Sequence, residues 1–136
     1  MLHLRVNVAT GTTRAQLNAM FERIDAGSRE VVKQQAYFLR DTARKMMEGG
    51  RSGIHHSHLP NRSSARGESP RTQSGVMAKS IRLYSNGSRY YTVGSPLWYA
   101  KFLQEKRERP LMEPALEKIR PDFYKAIRDM VERSVR

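Results

Sequence analysis

A long run of apolar residues at helical spacing constrains this chain more than any other feature of its sequence. Between residues 13 and 48, apolar side chains recur every three or four positions, and Gly49-Gly50 then offer a left-handed stop without steric cost. A helix of this span is about 54 Å long at ~1.5 Å per residue, longer than a domain of this mass is wide. The sequence therefore predicts a helix that either bends near Gly27 or reaches a neighbouring molecule.

The middle of the chain predicts a small antiparallel sheet. Residues 80–84 and 89–94 alternate apolar and polar side chains on either side of Asn86-Gly87, a pattern typical of a β-hairpin. Residues 1–8 alternate in the same way and are compatible with a further strand. A two-stranded hairpin is only marginally stable in water, so we expect it either to pack its apolar face on the long helix or to extend a larger sheet. That face carries Ile81, Leu83, Tyr91 and Val93.

The last third of the chain predicts helices. Residues 97–106 read as a short aromatic-rich helix, and Pro110 and Pro114 delimit an extended segment before the final helix. Pro114 suits the first turn of that helix, whereas Pro121 is expected to kink or restart it. We therefore predict a single α+β domain over residues 1–136, in which a long N-terminal helix and a C-terminal helix pack on a small antiparallel sheet.

A long loop rich in Gly, Pro and Arg separates the first helix from the hairpin, over residues 49–75. Loops longer than ~12–15 residues are uncommon unless they are functional or become ordered on a partner. Guanidinium groups form bidentate bonds with carboxylates and phosphates. The arginines of this loop are therefore candidate anion contacts, with the choice between the two anions left open: Arg62, Arg66 and Arg71.

Charge and composition exclude several classes of protein. The chain has 25 Lys and Arg residues against 13 Asp and Glu, a formal charge of +12, and no cysteine. Without cysteine there is no disulfide framework, thiolate zinc site or cysteine nucleophile, and a reducing compartment such as the cytoplasm suits the composition. No stretch is apolar enough for a membrane span and the N-terminus lacks the pattern of a signal peptide, so we expect no membrane partner. The positive charge favours a polyanionic partner without naming one.

The sequence gives little support for catalysis or a cofactor. It contains no nucleophile elbow, phosphate loop, metalloprotease helix or dinucleotide-binding glycine pattern, and the acidic pair Glu105 and Glu108 resembles an ordinary solvated pair. The candidate metal ligands are histidines, three in the loop and one near the N-terminus: His55, His56, His58 and His3. Since a closed site needs about four oriented ligands, we predict no metal site, no cofactor and no enzymatic activity.

Aromatic side chains cluster in the second half of the chain and leave two interpretations open. The group comprises Tyr84, Tyr90, Tyr91, Trp98, Tyr99 and Phe102, interleaved with Arg82 and Arg89. Such a group can stack on single-stranded nucleic acid. In a chain that is only 38% hydrophobic, however, the same rings are needed for the core and for subunit contacts, and we favour that interpretation.

Three short runs, in order along the chain, resemble the pattern of a known family. The first, residues 64–70 with 72–75 and 79–81, resembles Ser-Ala-Pro-Gly-Glu-Pro-Pro, Thr-Gly and Ser-Ile, with Arg66 and Ser69 in place of prolines. The second, within residues 93–105, resembles Val-Gly-Thr, Tyr-Ala and Glu-Phe-Gly-Thr, except that Lys106-Arg107 replace Phe-Gly. The third, residues 109–116, resembles Arg-Pro-Phe-Leu-x-Pro-Ala-Leu. The matching positions singled out here as structural are Gly67, Glu68, Pro70, Gly75, Ser80, Ile81, Gly94, Tyr99, Ala100, Glu105, Pro110 and Pro114.

In these runs and in the order of its elements, the chain resembles the tail-completion, or head-to-tail joining (neck), proteins of long-tailed bacteriophages, which include minor tail proteins of the Z type. The resemblance implies a structural virion subunit, made in the host cytoplasm, that assembles as a homo-oligomeric ring with six copies as the expected number. Its expected partners are a head-completion or connector protein on one side and a tail terminator or tail tube protein on the other. Genomic DNA would pass nonspecifically through the lumen.

The residues independently suggest a subunit completed by its neighbours, because the hydrophobic fraction is low, the first helix is over-long and the hairpin needs support. We expect the loop over residues 49–75 to become ordered as it docks on a neighbouring subunit or ring. The alternative is a small basic nucleic-acid-binding protein that acts free in the cytoplasm, a reading that explains the +12 charge directly.

Overall fold

A computed structural model describes residues 14–85, 87 and 90–136 of the chain, so the strand predicted over residues 1–8 lies outside the described residues. Two long helices and a small antiparallel sheet confirm the predicted α+β class. In chain order the elements are α1 (Arg14–Met46), α2 (Val76–Ser80), β1 (Arg82–Ser85), β2 (Tyr91–Gly94), α3 (Trp98–Glu105) and α4 (Met112–Ser134).

The long first helix is a single element that pairs with α4 in antiparallel fashion. The Arg23 guanidinium donates to the carbonyl of Ser134 near the start of α1, and further along Gln35 donates to Asp122 Oδ2 at 2.9 Å. Between these contacts α4 approaches Gly27 so closely that a Cβ there would lie 2.7 Å from Met130 Cγ. Gly27 therefore permits close packing within one unbroken helix. The turns of α1 before Arg23 extend past the last turn of α4.

The hairpin packs its apolar face on α1, as the alternation predicted. Leu83 pairs with Val93 and Ser85 with Tyr91, so the three large side chains of this face point the same way and are half-buried. Gly87 has φ +81, a backbone conformation that glycine adopts at no steric cost. Ser80, predicted at the start of the first strand, instead ends the short helix α2. Within the described residues, each strand pairs only with the other and keeps one free edge.

The core lies where the C-terminal end of α1 meets the start of α4. Its buried side chains are Ala43, Met47, Met77, Ile81, Ala100, Leu111 and Ala115. The short helix α3 begins and ends within one residue of its prediction, and Pro114 lies in the first turn of α4 as expected. Of the two effects expected of Pro121, a kink or a restart, the restart is wrong, because α4 continues through this residue. Ile119 before this proline and Met130 after it are each 4% exposed, and their packing holds the helix on α1.

Candidate assembly interface

The long loop between α1 and α2 is held together by its own hydrogen bonds. Arg51 donates to the carbonyl of Ser69 at 2.7 Å and to the end of α1 at Met46. Across the loop, the Gly53 amide donates to Ser63 O at 2.9 Å, and the Ser63 amide donates to Ile54 O at 3.1 Å. The conformation of the loop is thus specified within one subunit, and any docking concerns the surface that the loop exposes.

The three candidate anion-binding arginines of this loop have different surroundings. Arg71 is half-buried and donates to Met47 O, Thr72 O and Asn61 Oδ1 at 3.1–3.2 Å, so its guanidinium supports the loop from inside. Arg66 forms an exposed bidentate pair with the carboxylate of Glu108, a partner within the same chain. Arg62 is exposed and donates to Gly53 O at 2.8 Å. Of the three, Arg62 and Arg66 are accessible to an outside anion.

Glu68 joins two distant parts of the loop through its carboxylate. It accepts hydrogen bonds from the hydroxyl and the backbone amide of Ser52 and from the Ala65 amide at 2.8 Å. The Ser52 hydroxyl is the largest cause of a pKa below the ordinary value of 4.5, followed by the two amides, with a smaller effect from the charge of Arg51. Glu68 is the only acid between residues 49 and 100, and it is used as an internal acceptor.

Acid should therefore loosen the loop through Glu68. A lowered folded-state pKa means that the carboxylate stabilises the folded loop fully above pH 4.5, and that this contribution is lost as pH falls through the folded pKa below that value. We expect Glu68→Gln to abolish this dependence and to make the loop more sensitive to limited proteolysis at neutral pH. Glu48→Gln, at an exposed position just before the loop, is the control and should leave cleavage unchanged. Equal cleavage of all three proteins at pH 7 would contradict the assignment.

The three family-like runs meet in space although they are far apart in sequence. The hydroxyls of Ser80 and Ser95 lie 2.6 Å apart, joining the first run to the second. Arg109 Nε donates to Ser64 O at 3.1 Å, joining the third run to the first. All three runs contribute to the core and line one cavity of about 420 Å³ beside α3.

Most positions that match the family pattern are either glycines with a positive φ angle or residues that are buried or half-buried. Gly67 and Gly75 have positive φ angles of +87° and +82°. Others pack in the interior or half-buried around it: Pro70, Ser80, Ile81, Gly94, Tyr99, Ala100, Pro110 and Pro114. Glu105, by contrast, is exposed at the end of α3.

The aromatic cluster divides between the interior and the surface. Tyr91 and Tyr99 are half-buried, in agreement with the packing interpretation. The other described members are exposed, namely Tyr84, Tyr90, Trp98 and Phe102. Trp98 is 81% exposed, the largest value among the exposed large hydrophobic side chains of the described residues. An isolated exposed apolar residue is normal, but aromatic residues are enriched where proteins contact each other.

An apolar groove of about 280 Å³ runs between α1, α4 and β2. Its lining residues are mostly aliphatic or aromatic: Val32, Gln35, Ala36, Leu39, Tyr91, Val93, Leu116, Ile119, Arg120, Phe123 and Tyr124. Gln35 is only 9% exposed, and its Oε1 is buried with no hydrogen-bond donor among the described residues, while Nε2 is bonded to Asp122. The groove therefore has mainly apolar walls with a few polar side chains among them, whereas Gln35 Oε1 itself is closed off from solvent.

Sequence patterns signalled this groove only indirectly. Gln35 occupies a position of the apolar stripe of α1, and a polar residue in a buried stripe is a signal that something must satisfy it. Because β2 and α4 reach α1 only through the tertiary fold, their contributions to the groove have no local sequence pattern.

The candidate metal ligands of the loop, its three histidines, lie at the surface. The rings of His56 and His58 lie 5.7 Å apart, and all three loop histidines are exposed. Within residues 14–85, 87 and 90–136, no group of three or more His, Cys, Asp or Glu side chains is placed to hold a metal ion. In the same part of the chain, no helix is long and apolar enough to cross a bilayer.

Comparison with protein-family models, curated proteins and solved structures finds no match to this chain.

Proposed function

We propose that this chain is a structural subunit of a ring at the head-to-tail junction of a long-tailed bacteriophage. The observation that carries the proposal is the joining of three family-like runs by direct contacts around one core. Ser80 contacts Ser95, and Arg109 contacts Ser64.

The surface of the subunit suits incorporation into a ring. Both strands of the hairpin have a free edge among the described residues, and unpaired edges are normally covered or paired in native assemblies. An apolar groove and an exposed tryptophan lie on the same subunit, and a ring buries two different patches on each copy. A formal charge of +12 favours DNA in the lumen without base-specific contacts.

The proposal is tested on particles of the phage that encodes the chain. We expect mass spectrometry to find the protein in purified virions at the stoichiometry of one ring, and a nonsense mutation in its gene to leave filled heads and tails unjoined. Supplying the wild-type protein in trans should restore joined particles. Absence of the protein from virions, or normal joining without it, would contradict the proposal.

The alternative of a free nucleic-acid-binding protein has one supporting observation, the exposed ring of Phe102 with the Arg107 guanidinium 5.4 Å from its centroid. Such a protein should bind duplex DNA at micromolar concentration or tighter, with a steep loss of affinity between two salt concentrations. Filter binding on the isolated chain measures this directly. The ring proposal instead expects weak binding without sequence preference.

A further inference from the structure

We propose that the turn after α3 and the adjacent part of the long loop form a contact surface for the phosphate backbone of duplex DNA. The cations of this surface, called the basic cluster below, are Arg66, Lys106, Arg107 and Arg109. This inference rests on the proposed function, in which DNA passes through the ring, and it identifies the part of each subunit that faces the DNA.

The fold brings the basic cluster together from two segments that are far apart in sequence. The four cations and Glu108 line a cavity of about 390 Å³ that is open to solvent. Arg107 and Arg109 also line a neighbouring cavity that contains Arg71. Sequence reasoning singled out Arg66 and Arg71 but missed the cations of the turn, because only the folded chain places this turn beside the loop.

Backbone hydrogen bonds fix the turn against the loop. Directly after α3, the amides of Lys106 and Arg107 donate back to Phe102 O at 2.9 and 3.1 Å. Glu108 has φ +52, a left-handed conformation that is uncommon for a residue with a side chain, and its carbonyl accepts from the Gly67 amide at 2.8 Å. The cations are therefore held near one another before an anion arrives, which lowers the cost of binding.

One acid serves the four cations of the basic cluster. Arg66 forms a bidentate pair with Glu108. The other three cations have no ion-pair partner in the part of the chain that the structure describes, whereas Arg120 on α4, for example, has Glu117 at 2.8 Å. A cleft lined by charge of one sign concentrates the electric field and attracts ions of the opposite sign. The cluster thus keeps a net positive charge that an anion can neutralise.

The lining of the cavity favours DNA over an acidic protein as the source of that anion. The core of a protein–protein interface is depleted in charged residues and contains apolar anchors, whereas protein–DNA interfaces are far more positively charged. Among the described residues, every side chain that lines the cavity of the basic cluster is charged. Most hydrogen bonds between proteins and DNA go to phosphate and sugar oxygens, so we expect contact without sequence preference.

An aromatic ring orients one member of the basic cluster. The Arg107 guanidinium lies 5.4 Å from the centroid of the Phe102 ring, which is 41% exposed. A guanidinium placed over an aromatic face keeps the N–H donors at its edge available for a phosphate. Together with Lys106, Arg107 replaces the Phe-Gly of the family pattern, so the cluster is a feature of this chain rather than of that pattern.

The salt dependence of DNA binding by the full-length protein tests the cluster. In a titration of a labelled duplex, the slope of log affinity against log salt changes by about 0.9 for each phosphate contact. We expect Lys106→Gln with Arg107→Gln to make the slope shallower by about 2 and to weaken binding at about 50 mM salt by about 10-fold or more. Lys125→Gln with Arg128→Gln removes the same charge from exposed positions of α4, and this matched control should leave the slope nearly unchanged.

The opposite effect is expected of Glu108→Gln. This variant removes the only acid of the cluster and releases Arg66 for a phosphate, so binding should become about 5-fold tighter and the slope steeper by about 1. Glu117→Gln, which releases Arg120 from a similar exposed pair on α4, is its control and should have little effect. A damaged fold does not produce a gain of affinity, and circular dichroism verifies that each variant is folded.

Equal losses from the two double variants would overturn the proposal, because total charge would then explain the binding. Competition identifies the source of the anion. Displacement of the duplex by inorganic phosphate at far lower ionic strength than by chloride would indicate a small phosphorylated ligand, and binding of polyglutamate as tight as that of the duplex would indicate an acidic protein. Either result overturns the assignment to DNA. Neither touches the presence of the protein in virions, which tests the ring function independently.

Discussion

Replacing Ile81 with alanine is expected to lower the free energy of unfolding by about 2–5 kcal/mol, as measured by urea denaturation of the dilute protein. Ile81 is 1% exposed and lies between α2 and β1 in the core shared with α1 and α4. Truncation removes buried methyl groups and leaves a cavity, because helices on both sides fix its walls. Since a domain of this kind has only about 5–15 kcal/mol in total, the loss is a large fraction of its stability and should lower the urea midpoint clearly.

The matched control is Ile54→Ala, the same substitution at a position that is 71% exposed on the loop. Its free energy of unfolding should stay within about 0.5 kcal/mol of wild type. Comparable losses at both positions would mean that the core is not where Ile81, Leu111 and Ala115 place it. The outcome also bears on the family-like runs, because Ile81 belongs to the first of them.

The elements with a strong period could be predicted from the sequence. The helix predicted over residues 13–48 extends from Arg14 to Met46, because a stripe repeated over many turns leaves little freedom of assignment. The apolar face of the hairpin follows in the same way from the alternation of its residues, whereas the register that pairs Leu83 with Val93 is one of several compatible with that face. The helix α2 has only five residues, too few to establish a period, and Ser80 fits a strand equally well in the sequence.

The loop shows where sequence reasoning stops. Arg62, Arg66 and Arg71 are chemically identical and share one segment, yet one is internal, one is paired with Glu108 and one lies at the surface. This difference depends on carbonyl oxygens that only the folded chain brings together. Glu68 carried a better signal as the single acid of a basic region, because a lone carboxylate among arginines and amides is a strong acceptor.

Removing the internal arginine is expected to release the loop locally. Arg71→Ala deletes a guanidinium that donates to Met47 O, Thr72 O and Asn61 Oδ1. Hydrogen bonds to charged groups are worth about 1.5–3 kcal/mol net, and part of this loss will be recovered by water. We expect the free energy of local opening to fall by about 2–3 kcal/mol, which corresponds to roughly 30- to 150-fold faster exchange of protected amides.

Hydrogen exchange followed by NMR measures this local opening at two protected amides of the loop. The Thr72 amide donates to Met47 O at 2.9 Å, and the Gly53 amide donates to Ser63 O at 2.9 Å. Arg62→Ala is the control, because Arg62 is exposed and its guanidinium donates to Gly53 O; this variant should leave the exchange of Thr72 unchanged. If both variants accelerate exchange equally, Arg71 has no special structural role and returns to the anion contacts that the sequence suggested. If only Arg71→Ala does so, the surface available for docking is the part of the loop that carries Arg62 and Arg66.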